Sequence, residues 1–378
     1  MSPPRVTPSG RWPVLLLARE LGLGGSERQL AETALALDRG RFDPHIGCFR
    51  AGGFRARELA ESGIPVLELG VRSLVGPSVL AGARRMGRYI ARHGILLVHA
   101  FDVPLDLFAV PVARWFRVPG VLASQRAHRA LTPGITRHLL RLTDRIADGI
   151  VVNSAAVAEE LVRDDAVPRS WLHLAPNGVD TSVFRPEGPR TSLPWTAPGA
   201  VIGVVCALRR EKGLDVLLDA FARARTAHAG AKLLIVGSGP VLPELEAHAR
   251  DLELGADCRF QPAVQNVAEW LRAMDIFALP SLSEALSNSL IEAMACGCCV
   301  IASDAGGNPE LVDDGQTGLL SPAGDAAALA ERLEFALGDV TFRRRVGERA
   351  AFRAAERHSR QVAARRMGAI YASFLAGI

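Results

Sequence analysis

Short apolar runs alternate with stretches of helical periodicity along almost the whole chain. Runs at 13–18, 44–49, 64–69, 95–99, 120–124, 148–152 and 171–175 have the length and composition of buried strands. After a break, runs at 201–207, 231–236, 275–279 and 299–303 repeat the pattern. Between them, apolar residues three and four apart predict amphipathic helices over 26–38, 78–92, 135–146, 154–163, 214–227 and 240–250. This rhythm predicts an α/β chain of doubly wound parallel sheets, covered by helices on both faces. The break, Pro186 to Gly199, is dense in Pro and Gly and has no periodicity, as an interdomain linker would. The expected layout is a first domain over 1–190, a linker over about 186–199, a second domain over 200–360 and a terminal helix over 361–378. Ligands should then sit at the carboxyl ends of strands facing a cleft between the domains.

Composition narrows the class. A chain of 378 residues, 49% hydrophobic and 22% charged, has material for two cores. No apolar run approaches the ~20 residues that span a bilayer. The stretch Val14 to Ala18 is too short for a secretory signal, so the expected compartment is the cytoplasm. A net charge of +4 makes no case for nucleic-acid binding. Cys296, Cys298 and Cys299 cluster, but no second Cys/His pair at ligand spacing accompanies them; they read as core residues, and no metal is expected. Of 44 Lys and Arg, only Lys212 and Lys232 are lysine. A compact ammonium meets phosphate differently from a planar guanidinium, which singles out Lys212.

The densest chemistry lies at 284–320. Glu284 and Glu292 bracket Ser287, Asn288, Ser289 and Leu290, a capping cluster leading into a helix-forming run. Glu284 then falls in the loop before a helix and Glu292 in its second turn. The N–H groups at 288–290 would face an anion such as a diphosphate, with the two carboxylates ready to accept from sugar hydroxyls. Further along stand Gly306-Gly307-x-x-Glu310 and Gly315-x-x-Gly318. Upstream, Gly24-Gly25 opens a helix after the first strand, Gly237-Ser-Gly239 closes the strand at 231–236, and Leu208-Arg209-Arg210-Glu211-Lys212-Gly213 follows the strand at 201–207. Taken singly, each glycine turn also fits a plain strand–helix connection.

Together these motifs resemble retaining glycosyltransferases of family 4, with the GT-B fold. The resemblance spans roughly 14–376 and is most specific over 284–320. It implies two Rossmann-like domains and a last helix returning to the first. It implies transfer of a sugar from a UDP- or GDP-type nucleotide sugar to a hydroxyl of a glycan, lipid-linked or small-molecule acceptor, with retention. No metal or cofactor beyond the donor is implied, and no Asp-x-Asp triplet occurs. By the same resemblance Lys212 and Arg209 hold the diphosphate and Glu284 the donor sugar. Glu292 meets the ribose, with Gly24, Gly25, Gly237, Gly239 and Glu310 near the donor. The chain departs from the family at Ala207, where an arginine is expected; Arg209 or Arg210 would supply the cation, Arg209 by preference.

His128 lies where relatives place a functional histidine, and His99 reads either as a site residue or as a satisfied core residue. Arg137, Arg141 and Arg145 recur every four residues on helix 135–146, which reads either as a solvated face or as a peripheral contact with the inner membrane face. A sugar-nucleotide epimerase of the same fold and a degenerate nucleotide-sugar-binding scaffold are the rival functions.

Overall fold

The computed structural model describes residues 10–22, 24–195 and 199–376. Leu23 of the first glycine loop, residues 196–198 of the expected linker and the last two residues lie outside the described ones. The chain divides into two compact units, 1–178 with 360–378, and 179–359. Residues 179–195, including the proline-rich stretch from Pro186, therefore belong to the second unit.

The first unit is built on seven parallel strands: β1 (Trp12–Ala18), β2 (Phe42–Cys48), β3 (Val66–Glu68), β4 (Leu97–Ala100), β5 (Gly120–Gln125), β6 (Gly149–Val152) and β7 (Leu172–Leu174). Their order is β3-β2-β1-β4-β5-β6-β7. In β1 the residues Val14 to Ala18 are all buried, because helices cover both faces and no alternation is needed. Leu16 pairs with His99 across β1 and β4, the point where strand order reverses. The helix Arg360–Leu375 packs on the helix Gly25–Ala36 within this unit, and Arg360 pairs with Glu32.

Tyr371 of that last helix is fully buried, edge-on to Phe42 with ring centroids 6.0 Å apart. Its hydroxyl meets His99 Nδ1 at 2.7 Å, and His99 Nε2 meets Ser124 Oγ at 2.7 Å. His99 is thus a core residue with both ring nitrogens partnered. Tyr371→Phe should cost ~1–2 kcal/mol, since it leaves a buried ring nitrogen unpaired; denaturant melts at neutral pH will measure it.

Burial, aided by Arg126, holds the His99 imidazole well below its usual range. The unfolded chain takes a proton near ~6.5 while the folded one does not, so this group lowers stability as pH falls below ~6.5. Asp102 works the other way. Burial pushes its carboxyl up to about 6, against the pull of the Arg19 and Leu105 N–H groups. The folded chain therefore gains a proton near pH 6 before the unfolded chain does. His99→Gln should flatten the acid loss between about pH 6.5 and 5 relative to wild type, as read by melts across that range.

The second unit holds six parallel strands: β8 (Val201–Val205), β9 (Lys232–Val236), β10 (Cys258–Gln261), β11 (Ile276–Leu279), β12 (Cys299–Ser303) and β13 (Leu319–Ser321). The order β10-β9-β8-β11-β12-β13 reverses between β8 and β11. β10 and β13 were not expected. Both are edge strands, β10 has exposed Arg259, and β13 is three residues long, so neither offers an apolar run. Cys258, Cys296, Cys298 and Cys299 are buried in this core, and burial pushes the Cys258, Cys296 and Cys299 thiols up to about 12. Among the described residues no cluster of His, Cys, Asp or Glu is placed to hold a metal ion. None of their helices is long and apolar enough to cross a membrane.

Candidate active site

The carboxyl ends of β8 and β11 flank the switch point of the second sheet, where a doubly wound fold binds ligands. The loop after β8 ends in a 3-10 turn, Arg210–Lys212, closed by Gly213 at φ +60°. A Cβ on Gly213 would lie 2.4 Å from Pro280 O, so glycine is what lets this turn lie against the loop after β11. The result brings together two residues 72 apart in sequence. Lys212 Nζ donates to Glu284 Oε2 at 2.6 Å, and Ser281 Oγ donates to the same oxygen at 3.1 Å. Both side chains are largely buried, at 19% and 11% exposure. An ammonium carries three N–H donors, so Lys212 can hold Glu284 and an anion at once.

Four loops at this end of the sheet are stitched by short bonds. Leu208 N–H donates to Ser238 O at 3.1 Å and Leu282 N–H to Glu211 O at 2.9 Å. Ser303 Oγ donates to Ser281 O at 2.6 Å, and Gly307 N–H to Glu284 O at 3.1 Å. Asn308 Nδ2 reaches back to Ser303 O at 3.1 Å. Gly237 and Gly239 serve this stitching: a Cβ on either would stand 1.9 Å from Cys206 O or 2.1 Å from Leu208 O. Gly239→Ala should therefore destabilise the unit by ~1–3 kcal/mol and displace the loop that carries Lys212. Denaturant melts will read the first effect and nucleotide affinity the second.

Arg210 Nη2 donates to both Glu244 oxygens, at 3.0 and 2.8 Å. Arg209 is exposed and comes no nearer than 3.9 Å to Glu211. The helix after β11 runs Asn288–Ala295 with Ser287 as its N-cap, as expected. One expectation fails here: the N–H of Leu290 is not available to a ligand, because Ser287 Oγ accepts it at 3.2 Å. The Leu290 side chain is core, and Glu292 lies in the second turn, 4% exposed. Ser289 Oγ sits 3.2 Å from Ser287 Oγ. Glu310 stands in the short helix Asn308–Leu311, its carbonyl accepting from Arg353 at 3.3 Å.

Gly24, Gly25 and His128 belong to the first unit. Gly24 is the N-cap of the helix Gly25–Ala36, at the end of β1 beyond Arg19. His128 Nδ1 pairs with Glu160, which also accepts the Ala130 N–H at 3.3 Å. Burial alone would raise the Glu160 carboxyl, but His128 and the backbone N–H groups hold it below its usual value. Gln29 exchanges two bonds of 2.9 Å with the backbone of Gly178, pinning the Asn177-Gly178 turn, and Arg126 Nη1 donates to Asn177 Oδ1 at 3.0 Å. Sequence reasoning missed Ser281, Ser303 and Asn308 at this site, and in the first unit the buried carboxyl of Asp102, which accepts from the Arg19 N–H at 2.7 Å. Lone serines and asparagines in loops carry no spacing signal, and Asp102 reads simply as a helix cap.

A doubly wound parallel sheet in each unit, with a lysine–carboxylate pair at the switch point of the second, defines a chain of two Rossmann-like units. Residues 23–183 match the profile of Glycosyltransferase Family 4, and residues 199–339 that of Glycosyl transferases group 1. Over 65% of the chain, 34% of residues are identical to the GDP-mannose-dependent alpha-(1-6)-phosphatidylinositol monomannoside mannosyltransferase of Mycobacterium tuberculosis, 67% of which is covered. The D-inositol 3-phosphate glycosyltransferase of Jonesia denitrificans is 32% identical over 51% of the chain. The chain spans about half the length of this relative (50%) and of that from Paenarthrobacter aurescens (54%). HepE of Anabaena, solved with UDP and glucose, superposes with a TM-score of 0.83 at 20% identity, covering 95% of this chain and 99% of its own. Sucrose-phosphate synthase of Thermosynechococcus elongatus gives 0.83 at 21%, covering 97% and 100%. The chain belongs to glycosyltransferase family 4, and its fold is of the GT-B type.

Proposed function

We propose that this protein transfers a sugar from a nucleoside-diphosphate sugar to an acceptor hydroxyl, with retention and without a metal. The observation that carries the reading is the Lys212–Glu284 pair at the switch point of the second sheet. In the proposed step the bond from the anomeric carbon to the diphosphate oxygen breaks as the acceptor oxygen bonds the same face. The acceptor proton leaves to the departing phosphate. Charge builds on that phosphate, and fixed cations stabilise it best. Lys212 is one. Arg209 is the second, favoured over Arg210 because Glu244 already engages the latter. Glu284 orients the donor sugar, Glu292 the ribose, and Glu310 with the glycine turns shapes the donor's surroundings. Gly24, Gly25 and His128 serve the acceptor side or the donor phosphates.

A GDP or UDP donor is supported by relatives named for GDP-mannose and by a solved neighbour holding UDP. The acceptor class is a glycan or lipid-linked hydroxyl, in surface polysaccharide or glycoconjugate synthesis. We place the protein in the cytoplasm, peripherally at the inner face of the membrane. The test is incubation with GDP-mannose or UDP-glucose and phosphatidylinositol or inositol phosphate, with EDTA present, and NMR of the product's anomeric proton. A product with the donor's anomeric configuration supports the reading. An inverted product, or a requirement for added metal, contradicts it, and conversion of the donor alone to an epimer would favour the rival enzyme.

A further inference from the structure

In the first unit, the helix Gly134–Ile146 is built inside out. Its inward side presents Leu140, Thr143 and Asp144, all buried, with Asp144 gripped by buried Arg129 at 2.7 and 2.9 Å. Successive residues turn by ~100°, so Ile135, Leu139, Leu142 and Ile146 share one stripe ~60° wide on the other side. All four are exposed, Ile135 to 78%. Leu131, just ahead of the helix, is exposed too. The helix Val103–Trp115 packs alongside and ends in Trp115, 83% exposed, and exposed Phe116. Arg114 bonds the Ile146 carbonyl and Asp148, which sets that end beside the stripe. Two packed helices thus each expose apolar side chains near this joint, where single scattered ones would need no explanation.

The charge around it is one-sided. Asp144 is taken by Arg129, Asp148 by Arg114, and Asp165 by Arg137 and Arg141 at 3.0 and 2.7 Å. Arg137 and Arg141 thus do not form the open basic row that their spacing suggests. Arg145, Arg117 and His138 are exposed around the stripe and its end.

We propose that this face docks on an anionic phospholipid surface. The stripe and Trp115 enter the interfacial layer, where an apolar face flanked by arginine is held by burial and by headgroup charge together. The inference rests on the peripheral placement proposed above and not on the transfer reaction.

Flotation of the full chain with vesicles will test it, comparing phosphatidylcholine alone with equal parts phosphatidylcholine and phosphatidylglycerol. Wild type should float with the mixed vesicles and release at high salt. Leu139→Gln with Leu142→Gln, an exposed pair whose change leaves the core intact, should lower partitioning about tenfold or more. Arg145→Gln should lower it about fivefold, at low salt only. Wild type that stays in the aqueous fraction while nucleotide still stabilises it overturns the docking and leaves the donor site standing. Variants that float as well as wild type also overturn it. So does a wild-type dimer that the double variant abolishes without vesicle binding, which would assign the face to a second copy.

Discussion

Lys212→Ala should weaken nucleoside-diphosphate binding by roughly 10–100-fold, the worth of one charge-assisted contact to phosphate. The side chain is placed for this by a turn that only glycine at 213 permits, and it is already directed at the carboxylate of Glu284. The same change removes the ammonium 2.6 Å from the Glu284 carboxylate while Ser281 Oγ still donates to it, so it should also cost the fold about 1–2 kcal/mol. That is less than the ~3–5 kcal/mol of a fully buried broken pair, because water reaches both groups. Titration calorimetry with GDP and UDP separates the two effects: affinity falls in the folded protein, whatever the melting temperature does. Lys212→Arg should not restore full affinity, since a planar fork does not fill the place of an ammonium 2.6 Å from Glu284.

Glu284→Gln should lower turnover by ~10²–10³ while changing diphosphate affinity little. The amide keeps the shape and can still accept from Ser281 Oγ, but loses the charge that draws Lys212 and accepts strongly from sugar hydroxyls. Turnover with saturating donor, set beside calorimetry with free nucleotide, gives the two numbers. Equal losses in both would assign Glu284 to holding Lys212 rather than to the sugar.

The sheets were legible because buried parallel strands need no alternation: Val14 to Ala18 or Val300 to Ala302 are apolar whichever face they show. An edge strand can escape that logic, as Cys258–Gln261 shows with Arg259 outward. The helix Val103–Trp115 was hidden by Pro104 and Pro111, the first tolerated at the helix start and the second inside it. The glutamates and Lys212 could be singled out from residue type, but a contact across 72 residues follows from no spacing; the family resemblance put them in one site. The resemblance did not foresee that Ser287 consumes the Leu290 N–H, nor the serines that stitch the strand-end loops. On the helix 134–146 the four-residue spacing of arginines suggests a basic face, yet the exposed surface is the isoleucine and leucine stripe, because Asp144 turns inward to Arg129 and Asp165 takes Arg137 and Arg141. Which side of an amphipathic helix faces inward depends on partners far along the chain.

Thermal stabilisation by UDP, GDP, ADP and dTDP, measured on wild type and on Lys212→Ala, tests most directly that Lys212 holds the donor diphosphate. A nucleotide at one hundred times its dissociation constant adds about 2.7 kcal/mol. A clear rise with UDP or GDP, lost in the variant at the same concentration, is the expected result. Stabilisation by none of the four, or by one of them undiminished in the variant, would contradict it.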